Sequence, residues 1–114
     1  MSIAVGVFDH MDSGGQSPHV VYESRLKLIE AYDAAGFYGY HVAEHHQTSL
    51  GIAPSPGMFL AAAAAGTKQI KLGPLVYIVP AYAPLRLIEE ICMLDHLSKG
   101  RYQFGMGRGV SPFE

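Results

Sequence analysis

What this sequence has little of narrows the field first. It holds a single cysteine, Cys92, so no internal disulfide can staple it, and such sparing use of thiol fits a reducing compartment. Charge is also scarce: 16% of residues are Asp, Glu, Lys or Arg, the formal net charge is −2, and the basic residues are scattered rather than clustered. Without a basic patch, neither nucleic acid nor an anionic membrane surface is expected as the main partner. The apolar run from Met58 to Ala65 falls far short of the roughly 20 residues that a bilayer-spanning helix requires. No signal peptide is visible, because Met1-Ser2 leads straight into a candidate strand. Hydrophobic residues make up 49% of the chain, which excludes disorder. The expectation is a cytoplasmic globular protein with one domain over residues 1–114 and a single core.

What is present is an alternation of short apolar runs and amphipathic stretches. Ile3 to Phe8 reads as a buried strand with Asp9 and His10 at its tip, followed by a polar, Gly-rich loop. A helix is predicted from about His19 to Ala35, with Leu28, Ile29, Tyr32 and Ala35 as its apolar stripe and Gly36 just past its end. The second strand, Tyr38 to Ala43, closes on Glu44-His45-His46. By parity Gly39, His41, Ala43 and His45 share one face, suited to lining a cavity, while Tyr38, Tyr40 and Val42 share the other, suited to lying under helices. The helix from Pro56 to Ala65 is apolar on every side and is therefore expected to be covered on both faces. Ile70 to Val79 reads as strand three, with Pro74 inside it marking an irregularity. A third helix runs from Pro84 to about Leu97 with Leu87, Ile88, Ile91 and Leu94 as its stripe and Cys92 as a small core residue. Strand four follows near residues 102–107, and Gly105, Gly107 and Gly109 surround Arg108.

The order is β-α-β-α-β-α-β with about thirty residues per unit, which means parallel strands joined by right-handed crossovers. A complete (β/α)8 barrel takes about 250 residues, and a four-stranded doubly wound sheet is the self-contained alternative. Polar tips recur at each strand end: Asp9-His10, Glu44-His45, Tyr77 with Tyr82, and Arg108. A barrel mouth collects residues from every strand in this way, whereas an open sheet concentrates them at one switch point.

Five blocks in order resemble the bacterial luciferase-like flavin monooxygenases, nearest to the alkanal monooxygenase branch. They are Glu44-His45-His46, Gly73 to Pro80, Pro84 to Glu90, Leu94 to Arg101, and Phe104-Gly105-Met106-Gly107-Arg108-Gly109. The resemblance implies an α/β fold, the N-terminal half of a TIM (β/α)8 barrel, with four parallel strands and three helices. It also implies reduced FMN supplied by a separate flavin reductase, whose reaction with O2 oxidises an aldehyde-like organic substrate. A deazaflavin serves a sister branch, and Glu-His-His leans towards FMN. His45 matches the family's catalytic imidazole, and an imidazole with an ordinary pKa near 6.5 is suited to accept a proton at neutral pH. Glu44 matches an acidic neighbour of the flavin site. Leu75 and Val76 match a strand-three position beneath the flavin ring that often holds a non-prolyl cis peptide. Arg108 matches a residue near the FMN phosphate, which a guanidinium grips bidentately. Gly107 stands where luciferase carries a reactive cysteine, so thiol chemistry beside the flavin is not expected. Family members pair through the helices after strands two and three, here 56–65 and 84–97, which implies a homo-oligomer.

Two other readings compete. A metal-dependent barrel hydrolase would draw ligands from Asp9, His10, His41, Glu44, His45 and His46, although the His-x-His pair usual on strand one is missing. A half-barrel that packs but does not turn over is the other, because the resemblance omits the rest of the phosphate site and the lid. On that basis the 114 residues alone are expected to bind FMN more weakly than about millimolar, worth about −4 kcal/mol.

Overall fold

The computed structural model describes residues 2–112. Its elements run β1 (Gly6–Asp9), α1 (Pro18–Ala34), β2 (Gly39–Val42), α2 (Pro56–Ala65), β3 (Lys71–Pro74), β4 (Tyr77–Ile78), a 3-10 turn (Val79–Ala81), α3 (Pro84–Leu97) and β5 (Met106–Gly107). All three α-helices open on a proline, whose missing N–H costs nothing where no intrahelical acceptor exists. Gly36, with φ of 81°, ends α1 in the left-handed conformation that favours glycine.

The strands are parallel, with β2 between β1 and β3. Phe8 stands opposite His41, and His41 opposite Gly73. The expectation of four strands in one sheet needs correction: three form one sheet, and β4 pairs with β5 in a second, two-stranded one. The run from Ile70 to Val79 is broken where Pro74 offers no N–H and the Leu75–Val76 peptide is cis. Strand four shrinks to a bridge between Leu72 and Tyr102 and the short β5. Backbone hydrogen bonds still tie the two segments, from Leu72 N–H to Arg101 O through Gln103, Gly105 and Tyr77 N–H groups. The segment comes so close because Gly73 has no side chain; a Cβ there would lie 1.5 Å from the Gln103 carbonyl oxygen.

The helices cover the outer face of β2, where Tyr40 and Val42 are fully buried among Ile29, Leu60, Ile70 and Leu72. Each such side chain contributes roughly 1.5–3 kcal/mol. Several expected core positions are instead open: Leu28 on α1, Ile88 and Cys92 on α3, and Met58 on α2, which is 77% exposed. Their apolar character asks for a covering surface that the elements within residues 2–112 do not provide. Among the described residues no helix is long and apolar enough to cross a membrane.

Two buried ions fix the N-terminal end of the strands. Asp33, at the end of α1, accepts the N–H groups of Lys68, Gln69 and Ile70. Burial alone would raise its carboxyl, but those three donors and the nearby Arg101 outweigh it and hold the carboxyl below its ordinary value. Arg101 spends its guanidinium on Ser98 O, Thr67 Oγ1, Thr67 O, Ile70 O and Ala64 O. These ties leave the opposite, C-terminal strand ends as the open rim.

Candidate active site

At that rim a cleft of about 260 Å³ opens between the tips of β1 and β2, the β3–β4 break and the chain following β5. Glu44, His45, Leu75, Val76 and Arg108 all line it, so the five residues singled out in the sequence stand on one wall system. Phe8 and His10 join them from β1.

Each position has a local cause. At the β1 tip Asp9 is committed away from the cleft: it accepts from Arg25 Nε at 2.7 Å, Tyr40 OH at 2.6 Å and Met11 N–H at 2.7 Å. Burial would raise the Asp9 carboxyl, but the bonds from Tyr40, Met11 and Arg25 together lower it. His10, next in the chain, lines the cleft, and its ring stacks on His45 with centroids 5.8 Å apart and planes 11° from parallel. His41 lies four residues before His45 on the same strand face, half-buried; burial lowers its pKa, and a hydrogen bond with Gln103 partly offsets this.

Glu44 is not a solvated strand-end carboxylate. Its side chain is 0% exposed and accepts from His46 Nε2 at 2.6 Å, Tyr82 OH at 2.8 Å and Ile78 N–H at 3.1 Å. Burial, then the bond to Glu44, pushes the Tyr82 hydroxyl well above its ordinary pKa, so it stays a donor. The sequence singled out Tyr82 as a polar strand tip and His46 in the Glu44-His45-His46 block, but not their bonds to the Glu44 carboxylate.

The β3–β4 break presents apolar surface to the cleft, with Leu75 45% exposed at the cis peptide. Gly105 and Gly107 back Val76 closely; a Cβ on Gly107 would fall 2.5 Å from Val76 Cγ2. Arg108, exposed, sets a cation at the edge. An apolar shelf, an imidazole pair and one guanidinium suit a flat conjugated ring carrying an anionic group.

The same geometry weighs against the hydrolase reading. Asp9 and Glu44 have their donors already, and among the described residues no three His, Cys, Asp or Glu side chains gather as a metal site. A larger groove, about 330 Å³, lies between α2 and α3 and includes Met58, Arg86, Glu89, Met93 and Leu97. It holds no imidazole and does not lie at the strand ends.

Comparison with known proteins gives the family. The family model described as Luciferase-like monooxygenase matches residues 1–114. The uncharacterized protein y4wF of Sinorhizobium fredii (strain NBRC 101917 / NGR234) is 52% identical over 112 residues, which cover 98% of this chain and 33% of that protein. Limonene 1,2-monooxygenase of Rhodococcus erythropolis is 44% identical over 84 residues, 74% of this chain and 22% of that enzyme. Among solved structures, the oxygenating constituent of 3,6-diketocamphane monooxygenase from the CAM plasmid of Pseudomonas putida is a type II Baeyer-Villiger monooxygenase in complex with FMN. It matches with a TM-score of 0.93 at 29% identity, covering 98% of this chain and 31% of that one. The chain therefore spans about a third or less of the length of these relatives. Motif order, fold and matched residues agree: the chain belongs to the luciferase-like monooxygenase family.

Proposed function

We propose that the rim cleft is one wall of a reduced-FMN site and that the protein is a flavin-dependent monooxygenase acting with O2 on an aldehyde-like organic substrate. What supports it is the meeting of His45, Glu44, Leu75, Val76 and Arg108 on a single cleft at the strand ends. Leu75 and Val76 would seat the ring from below and keep water from that face, and Arg108 would hold the phosphate. Reduced flavin, delivered by a partner reductase, supplies the electrons with which O2 is activated. His45 stands beside the shelf as the group that accepts and holds a proton on its imidazole nitrogen. Glu44 acts from beneath, through the backbone and the groups it binds, because its carboxylate is wholly covered.

The test takes two steps. Titrated with FMN by fluorescence quenching, the 114-residue chain is expected to bind more weakly than about millimolar, because Arg108 alone faces the phosphate. Grafted into a full-length FMN-binding relative in place of its matching segment, the same residues should support FMN binding and aldehyde oxidation. A folded graft that binds no FMN would overturn the assignment, and micromolar binding by the chain alone would overturn the half-site reading.

A further inference from the structure

We propose that Tyr82 is a positioning residue: through the buried Glu44 carboxylate and His46, its hydroxyl fixes the tip of β2 so that His45 faces the cleft. This rests on the reading of the cleft given above. Glu44 and His46 flank His45 in the chain, and they are joined to one another by the 2.6 Å contact between Oε1 and Nε2. The other carboxylate oxygen accepts from Ile78 N–H and Tyr82 OH, both across the cleft floor from β2. His45 is thus the middle residue of a three-residue span whose two ends are pinned together and to a separate element. With both neighbours held, the backbone that carries His45 is fixed at the edge of the cleft.

The carboxylate also selects the form of His46. Its oxygen only accepts, so His46 carries a proton on Nε2. His46, Ile78 and Tyr82 all donate to Glu44, whose side chain is completely covered. Removing one donor leaves a buried carboxylate under-satisfied, a condition that draws in water or shifts the remaining partners. Tyr82 itself is held from α3: its ring meets Tyr77 edge-on at 5.3 Å, and the Tyr77 hydroxyl donates to Glu90 at 2.8 Å. Tyr82 does not line the cleft, so it acts through Glu44 rather than on a ligand.

Tyr82→Phe removes one oxygen and keeps the ring. In the flavin-free protein, nitrogen-15 NMR of the histidine rings should find the His46 Nε2 proton protected from exchange, and the variant should shift or broaden it. In the full-length graft, with FMN, reductase and aldehyde, kcat should fall about tenfold while KM stays within about twofold. Tyr22→Phe serves as control, because it deletes a comparable tyrosine hydrogen bond, to the Ile52 carbonyl, away from the site. The control should lower Tm without moving the His46 signal. An unmoved His46 resonance in Tyr82→Phe, or an equal response in Tyr22→Phe, overturns the proposal. Failure of the flavin reading looks different: the full-length graft carrying the wild-type segment shows no FMN-dependent turnover while the His46 resonance still answers to Tyr82.

Discussion

The carboxylate of Asp33, near the end of α1, accepts the backbone N–H of Ile70 at 2.7 Å, one residue before β3 begins. It thereby joins elements that stand far apart in sequence, and it also satisfies Lys68 and Gln69 N–H. Asp33→Ala leaves three donors without their acceptor and should cost about 3 kcal/mol of stability. The pH dependence has a definite sign. Because the folded-state carboxyl lies below its ordinary value of 3.8, the stabilisation is fully present above that value and is lost as pH falls through the lowered one. Denaturant melts should show the wild type and Asp33→Ala far apart at pH 7 and converging in acid. A gap that does not narrow in acid would contradict this account.

Arg101 should tolerate no conservative exchange. Its five hydrogen bonds reach four residues in a fork that a lysine ammonium cannot reproduce. Arg101→Lys is expected to lose about 3 kcal/mol in the same melts, close to the loss for Arg101→Ala. Near-wild-type stability of the lysine variant would show that charge alone suffices.

These two residues mark what the sequence could and could not disclose. Local signals located the three helices closely: an apolar stripe for α1 and α3, and an unbroken apolar run between Pro56 and Gly66 for α2. Parity assigned Tyr40 and Val42 correctly to the helix-covered face. The roles of Asp33 and Arg101 stayed silent, since all their partners but Ser98 lie roughly 30 or more residues away and leave no pattern in either stretch. For strand three, Pro74 marked the irregularity and the resemblance pointed to the cis peptide at Leu75-Val76, whereas the division of the run between two sheets left no trace in its apolar pattern. Leu28 and Ile88 misled, because an apolar stripe says that a side chain calls for cover and not where the cover comes from. The cleft residues became legible through motif resemblance, whereas Glu44's burial required knowing that Tyr82 and Ile78 fold back over it.

His45→Ala in the graft or in a full-length relative should slow oxygenation by about 10²–10⁴-fold, the loss typical of a removed general base. Binding of FMN should change little, because the shelf and the guanidinium remain. Single-turnover oxidation of the aldehyde, measured after reduced FMN is mixed with oxygenated buffer, reports the step directly. An unaltered rate and product yield would remove His45 from the mechanism.

Arg108→Ala should show the reverse pattern. Arg108 touches no part of the imidazole network described above, so its loss should weaken FMN binding about tenfold or more and leave the rate at saturating FMN nearly unchanged. Arg108→Lys should recover only part of the affinity, because an ammonium cannot bind phosphate bidentately. Equal affinity in all three proteins would place the phosphate elsewhere.

The exposed apolar residues of the helix layer lead to the last prediction, that two copies associate through α2 and α3. Met58, Met93 and Leu97 line one groove between these helices, and the alanines of α2 allow a second backbone to approach closely. The groove also carries both signs of charge, Arg86 with Glu89 and Glu90. A two-fold axis presents the same patch to itself, so Arg86 of one copy can meet Glu89 of the other while the methionines pack between them. Light scattering of the protein at micromolar concentration should therefore report a dimer. Met58→Glu together with Leu97→Glu adds four carboxylates across the axis and should yield monomer, with the far-ultraviolet spectrum unchanged. Arg86→Glu should weaken the dimer, and adding Glu89→Arg to it should restore association, which loss of apolar area alone cannot mimic. A monodisperse wild-type monomer, or a charge swap that fails to restore pairing, would move the contact to another face.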